Sequence, residues 1–417
     1  MGKKRKQMSN NRNHLVPGVK VMNKRLHIAH FTNTYHPLIN GVVRSVSVFR
    51  QALTDLGHNI FIFAQDASHF EDTDPFIFRY PAIELPINPP YALPIPVSPF
   101  VDRLLPSLKL DVIHSHHPFL LGQAAARKAN QLNLPLVFTF HTRYDEYSHY
   151  VPLNQTFVKG AITEWLRDYL QHCQHIITPS NSIKQMFTDH GVIDRVTTIP
   201  TGIDLAPFRA ADGQALREER GWGKDKVLVS VGRLAVEKNW PTLLAAVGQV
   251  MRQHREVRLV IIGEGEERDA LLHQAQELGI ADRVDFTGLV PFADIPRYLR
   301  AADLFCFASV TETQGLVTME AMAAGLPVVA VNANGTRDEV EHGQEGLLTD
   351  NDSAALAQAI QRVIEDETLW QQFRQAAGKK AEAFDIRLQT EKLANVYHQA
   401  MEDKKANLAV QVEPPDV

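Results

Sequence analysis

The stretch Asp303–Val331 (DLFCFASVTETQGLVTMEAMAAGLPVVAV) constrains the fold more than any other part of the chain. It reads as a buried strand, a polar turn, a helix, a Gly-Leu-Pro break and another buried strand. The turn Thr311-Glu312-Thr313-Gln314-Gly315 sets a carboxylate immediately before the helix. The helix N-terminus offers unpaired N–H groups and partial positive charge, which suits a phosphate. Glu320 follows inside a helix whose other residues are almost all apolar, with no basic neighbour in the local sequence. Burying it costs several kcal/mol unless hydroxyl or amide donors meet it, and a ribose diol is one such partner. The alternative is a carboxylate on a solvent-facing side of the helix.

The first half of the chain alternates strand and helix. Strands are expected at Leu26–Phe31, Asn59–Ala64, Asp111–His114, Pro135–Phe140, His175–Thr178 and Val196–Ile199, with a first helix over Val42–Leu56. A second series places strands at Lys226–Val231, Val257–Ile262, Val284–Phe286, Asp303–Phe307 and Pro327–Val331. Helices are expected at Trp240–His254, Glu266–Leu278, Ala354–Asp366 and Leu388–Met401. Short apolar strands alternating with helices mark a parallel, doubly wound sheet. At 417 residues the chain suits two such domains, divided near Ile203–Gly213. The proline-rich Pro81–Pro106 can be neither a regular helix nor a central strand. It reads as a loop packed on its domain or as an exposed apolar lip.

Several loops carry candidate chemistry. Gly41 stands just ahead of the first helix, where backbone can approach an anion or a sugar. Arg233 and Lys238, in VLVSVGRLAVEKN, lie beyond a buried strand, where two cations neutralise a diphosphate or are simply solvated. His141 follows the strand Pro135–Phe140 and faces the presumed cleft at a sheet's carboxyl edge. His114, His116 and His117 form a cluster without a local carboxylate, so a polar wall or plain structural histidines is the reading rather than a metal site. Gly263-Glu264-Gly265-Glu266-Glu267-Arg268 imitates a dinucleotide fingerprint. Arg replaces its third glycine and its carboxylates repel a pyrophosphate, so it is read as a decoy.

Two cysteines give neither a disulfide framework nor a zinc spacing, which fits a reducing cytoplasm. A net charge of -5 argues against general nucleic-acid binding. The stretch from Lys3 to Arg25 carries basic residues and no acidic one, as a solvated tail or a segment for an anionic membrane surface would. No run approaches a transmembrane helix in length.

The E-x7-E spacing of Glu312 and Glu320, with TETQGLVTMEAMAAGLPVVA around it, resembles the nucleotide-sugar site of the retaining GT-4 glycosyltransferases. Gly-Arg-Leu-x-x-Glu-Lys-Asn is similar to that family's pyrophosphate loop. The resemblance implies a GT-B fold with two Rossmann-like domains and an interdomain cleft. Its divisions fall at a basic, disordered tail 1–24, an acceptor-side domain 25–205 and a nucleotide-sugar domain 206–386. A helix 387–404 returning to the first domain and a disordered tail 405–417 complete it. The resemblance further implies Glu312 on sugar hydroxyls, and Arg233, Lys238 and the Gln314–Val317 backbone (Gln314, Gly315, Leu316, Val317) on the diphosphate. Glu320 falls on the ribose, and His141 with the Gly41 loop on sugar and acceptor. No metal and no cofactor are implied, the nucleotide sugar being a substrate.

The run from His141 to Val151 most resembles bacterial diacylglycerol 3-glucosyltransferases, peripheral enzymes of the inner membrane face that use UDP-glucose. Tyr144 and His116 then fall on the acceptor side. Thr156–His172 departs from that pattern, since it is nearly neutral where related lipid enzymes tend to be basic and amphipathic. A soluble enzyme acting on a polysaccharide or small acceptor is the first rival, and a sugar-nucleotide epimerase of the same architecture the second.

Overall fold

The computed structural model describes residues 24–67, 70–85, 91–142 and 155–413. Tyr144 with all of 143–151, and nearly all of the 1–24 tail, lie outside the described residues.

In the first half the strands are β1 (His27–Thr32), β2 (Asn59–Gln65), β3 (Ile77–Tyr80), β4 (Ala82–Leu85), β5 (Tyr91–Pro94), β6 (Val112–Ser115), β7 (Leu136–Thr139), β8 (His175–Thr178) and β9 (Val196–Thr198). In the second they are β10 (Lys226–Val231), β11 (Val257–Ile262), β12 (Val284–Gly288), β13 (Leu304–Phe307), β14 (Val328–Val331) and β15 (Gly346–Thr349). Two parallel sheets result, ordered β3-β2-β1-β6-β7-β8-β9 and β12-β11-β10-β13-β14-β15. In each, strand order reverses beside the first strand, opening a crevice at the carboxyl ends between β1 and β6 and between β10 and β13. Central strands such as β6, β7, β13 and β14 are buried at every position, because helices cover both faces.

The last helix, Ile386–Lys405, packs on the first sheet's side of the molecule. Its Leu393, Val396, Tyr397 and Ala400 share one apolar cluster with Val43, Val46 and Leu53 of the helix Gly41–Asp55 and with Leu26 and Ile28. The two crossings between the halves are tied by backbone. Ile203 N–H donates to the Phe384 carbonyl at 2.8 Å, and Ile386 N–H donates to the Ile203 carbonyl at 3.0 Å.

Two expectations need correction. Part of Pro81–Pro106 forms an antiparallel β4–β5 hairpin apart from the main sheet, then a short helix Pro99–Leu104. Proline is tolerated there because it stands at the first helical position, where no N–H is needed. The tail expected from 405 onward is also structured up to 413. Val410 is buried in the core beneath β7 and β8, and Val412 bridges to Val192. The alternate valines Val410 and Val412, ahead of the Pro-Pro pair, were the available signal.

Candidate active site

The loops at both crevices face each other, and direct bonds span them. Thr313 donates its hydroxyl to the His141 carbonyl at 2.9 Å. Gln314 clamps Thr201, accepting from its N–H at 3.0 Å and donating to its carbonyl at 3.3 Å, while the Thr201 hydroxyl reaches Ser45 at 2.9 Å. The Gln314 side chain is therefore taken up by Thr201, and its backbone remains for a ligand.

On the second sheet's side, the helix Leu316–Ala323 is buried almost all round, as its composition demands. Glu320 on it is 1% exposed, which rules out the solvent-facing alternative. Its cation comes from a distant segment rather than from the local sequence. Arg44, from the helix Gly41–Asp55, forms an ion pair with it, and Arg44 also lies over the Phe292 ring at 4.1 Å. Burial lowers the Arg44 guanidinium to about 10. One sequence signal pointed to Arg44. It sits in the first turn of a helix, where the macrodipole disfavours a cation, so it needs a carboxylate elsewhere.

The N-terminus of Leu316–Ala323 is partly occupied. Gly315, expected to offer its N–H to a phosphate, donates instead to Glu339 Oε1 at 3.0 Å. Glu339 is buried, and that burial, with Glu312 and Asp338 nearby, holds its carboxyl well above the usual range despite the Gly315 N–H. Leu316 and Val317 have no N–H partner among the described residues, so two of the expected donors stay open for an anion. Lys238 reaches over this opening to Glu312, Nζ to Oε1 at 2.5 Å. The cation expected on a diphosphate and the carboxylate expected on sugar hydroxyls thus touch one another. Arg233 sits at the half-exposed rim between Glu237 and Glu266.

Gly41 faces this helix end. A Cβ added there would sit 3.8 Å from Leu316 Cδ1, an ordinary contact, so glycine is not required by packing against Leu316.

On the first sheet's side the polar groups are histidines. His30 on β1 stands opposite His114 on β6 in the parallel register. His116, one step beyond β6, lies between His30 and His141. His30 Nδ1 meets His116 Nε2 at 2.8 Å, and His116 Nδ1 meets His141 Nε2 at 2.9 Å. His114 engages the Tyr397 hydroxyl at 2.8 Å and Thr139 at 2.7 Å. His117 turns elsewhere and accepts the Asn33 N–H at 3.1 Å. Burial depresses all of these rings, His30 and His117 to about 3 and His141 to about 4, so they are neutral near pH 7. His30, His114 and His116 bring ring nitrogens within 4.8 Å of one another. Every one of those nitrogens already carries a hydrogen bond, and a cation among them would have to displace those bonds. Sequence reading missed His30 and Tyr397. A histidine inside an otherwise apolar parallel strand was the available signal, because it needs a buried partner.

The glycine-rich decoy serves packing. Gly263 has φ of +147°, and a Cβ there would fall 1.9 Å from the Gly232 carbonyl, so the loop after β11 crosses tightly against the loop bearing Arg233.

Comparisons with known proteins agree with this architecture. Residues 39–207 match the description Glycosyltransferase Family 4, and residues 212–382 match Glycosyl transferases group 1. The chain is 32% identical over 326 residues to the alpha-monoglucosyldiacylglycerol synthase of Streptococcus pneumoniae, covering 73% of this chain and 71% of that one. It is 31% identical to the Acholeplasma laidlawii protein of the same name, covering 78% and 84%. A GDP-mannose-dependent alpha-mannosyltransferase of Corynebacterium glutamicum is 29% identical, covering 78% and 77%. Among solved structures, Anabaena HepE in complex with UDP-glucose superposes with a TM-score of 0.71 at 22% identity, covering 90% of this chain and all of that one. At that identity the likeness speaks for the fold, which is GT-B. Fold and sequence together make this chain a member of glycosyltransferase family 4.

Proposed function

We propose that the protein is a retaining glucosyltransferase that moves glucose from UDP-glucose to diacylglycerol at a membrane surface. The observation that carries this reading is the similarity to the two alpha-monoglucosyldiacylglycerol synthases over most of each chain. The arrangement of the cleft supports the transfer chemistry. The diphosphate rests on the open Leu316 and Val317 N–H groups, with Lys238 supplying positive charge where the leaving group develops its negative charge. Arg233 adds a forked partner once a phosphate replaces Glu237. These cations take the part a divalent metal would otherwise play.

Glu320 accepts the ribose hydroxyls, and Glu312 holds sugar hydroxyls after Lys238 turns to the phosphates. His141 and the Gly41 loop orient sugar and acceptor. The glycosidic carbon loses the diphosphate and accepts the lipid hydroxyl on the same face. The acceptor proton passes to a departing phosphate oxygen, so the anomeric configuration is kept.

Exposed Ile83, Ile95, Val97 and Phe100 around the β4–β5 hairpin and the helix Pro99–Leu104 support contact with a lipid surface. No described helix is long and apolar enough to cross a membrane, so such contact would be peripheral. A second reading, transfer to a soluble acceptor, is favoured by the near-neutral helix Gln155–Gln171, which carries Glu164 and Asp168 beside Lys159 and Arg167.

The test is purified protein with radiolabelled UDP-glucose or GDP-mannose, with diacylglycerol in anionic vesicles or with soluble acceptors. The reading expects α-glucosyldiacylglycerol from UDP-glucose. Transfer from GDP-mannose alone, or to soluble acceptors alone, overturns it.

A further inference from the structure

The buried histidines form one continuous chain, and its hydrogens can be counted. From one end to the other it runs Thr139, His114, Tyr397, His30, His116, His141. The links are 2.7 Å, 2.8 Å, 3.4 Å, 2.8 Å and 2.9 Å. Adjacent rings overlap as well as bond, His30 on His116 at 5.0 Å and His116 on His141 at 5.2 Å between centroids. Each ring is neutral and so has one N–H and one bare nitrogen. A ring that donates at one edge must therefore accept at the other, and the direction chosen at one end is imposed on all the rest.

Two directions are possible, and the count separates them. If the protons point inward, His141 donates to His116, His116 to His30, His30 to Tyr397, Tyr397 to His114, and His114 to Thr139. The Thr139 hydroxyl, on a residue 8% exposed, then has a hydrogen with no acceptor among the described residues. If they point outward, Thr139 donates to His114, His114 Nδ1–H to Tyr397, Tyr397 to His30 Nε2, His30 Nδ1–H to His116, and His116 Nδ1–H to His141 Nε2. Every hydrogen of the chain is then used, and the unused donor emerges at His141 Nδ1, a nitrogen without a partner among the described residues. An unmet buried donor costs about 1–3 kcal/mol, enough to fix the outward direction.

We propose that this chain, anchored by Tyr397 on the C-terminal helix, locks His141 in the tautomer with its proton on Nδ1, so that His141 presents a hydrogen-bond donor to a hydroxyl oxygen of the bound sugar. The sugar partner rests on the function proposed above; the tautomer does not. Tyr397 is a positioning residue, acting on the sugar only through His30, His116 and His141. The helix after the second domain thereby sets the polarity of a group in the cleft.

Long-range ¹H–¹⁵N spectra of histidine-labelled, ligand-free protein test the chain without any turnover. The proposal expects His141 with Nδ1 protonated and Nε2 bare, and His30 and His116 likewise. A bare His141 Nδ1 overturns it. Tyr397→Phe keeps the ring and removes the hydroxyl, so His30 loses the donor that fixes it. The variant is expected to show both His141 tautomers, with the donor KM up about two- to fivefold at unchanged kcat, as a partly populated competent state requires. An unchanged single Nδ1–H tautomer in a folded Tyr397→Phe protein overturns the anchoring role. The wild-type spectrum decides the chain's direction even where that variant does not fold. A protein that keeps the tautomer but does not use UDP-glucose sinks the proposed function and leaves the chain intact.

Discussion

The second sheet's wall of the cleft holds carboxylates in ion pairs: the buried Glu320 with Arg44, which reaches across from the helix Gly41–Asp55, and the partly buried Glu312 with Lys238. The first sheet's wall buries neutral rings in a row, from His30 to His141. Lys238 and Glu312 are only partly buried, so that cation can turn from its carboxylate to a phosphate, whereas Arg44 stays with the buried Glu320, whose charge it must offset. The neutral wall holds groups that cannot exchange singly, since turning one ring leaves two others unmet. In the proposed transfer, the charged leaving group would be bound and released on one side, and sugar and acceptor held in fixed orientation on the other.

The strongest way to break that division is Lys238→Ala. It is expected to lower kcat by about 10²–10³-fold, as loss of one group facing developing charge does elsewhere, with little change in thermal midpoint. Unchanged turnover would remove the charged wall from the chemistry.

Arg44→Met follows. Leaving Glu320 buried without its cation should cost about 3 kcal/mol of stability in denaturant unfolding, and adding Glu320→Gln should restore most of it. Additive losses in the double variant would show that the pair is not coupled.

The neutral wall is sharpened by pH. His30, His117 and His141 have folded values below the unfolded 6.5, so the unfolded chain binds protons first. Their contribution is full above pH 6.5 and is lost as pH falls toward 4, by up to about 1.4 kcal/mol per pH unit for each ring. Urea midpoints at pH 7, 6 and 5 should fall steeply; a flat series contradicts neutral burial.

Glu339→Gln is the smallest effect. The raised Glu339 carboxyl favours the fold below its unfolded value of 4.5 and opposes it as pH rises. The variant should gain about 1 kcal/mol at pH 8, a few degrees in thermal midpoint, and almost nothing at pH 4. Equal gains at both values would show that charge is not the cause.

Much of the fold was legible because its strands are apolar runs of the length a buried parallel strand needs. Lys226–Val231 and Val257–Ile262 were read to the residue, and β1 was off by one position. The β4–β5 hairpin was not, because prolines mask pairing that occurs away from a central sheet. In the site, Glu312, Glu320, Lys238 and His141 could be singled out from spacing and resemblance. Arg44, Glu339, His30 and Tyr397 could not be paired with them, since each belongs to a distant segment that only folding brings near. Local sequence records which groups need a partner; the partner's identity is a property of the packed chain.

Binding of the nucleotide on the charged wall is checked by a structure of the protein crystallised with UDP. The ribose is expected within hydrogen-bond distance of Glu320 and the diphosphate on the Leu316 and Val317 N–H groups, with Lys238 drawn off Glu312 toward it. UDP bound elsewhere, with the Lys238–Glu312 pair undisturbed, would contradict such binding.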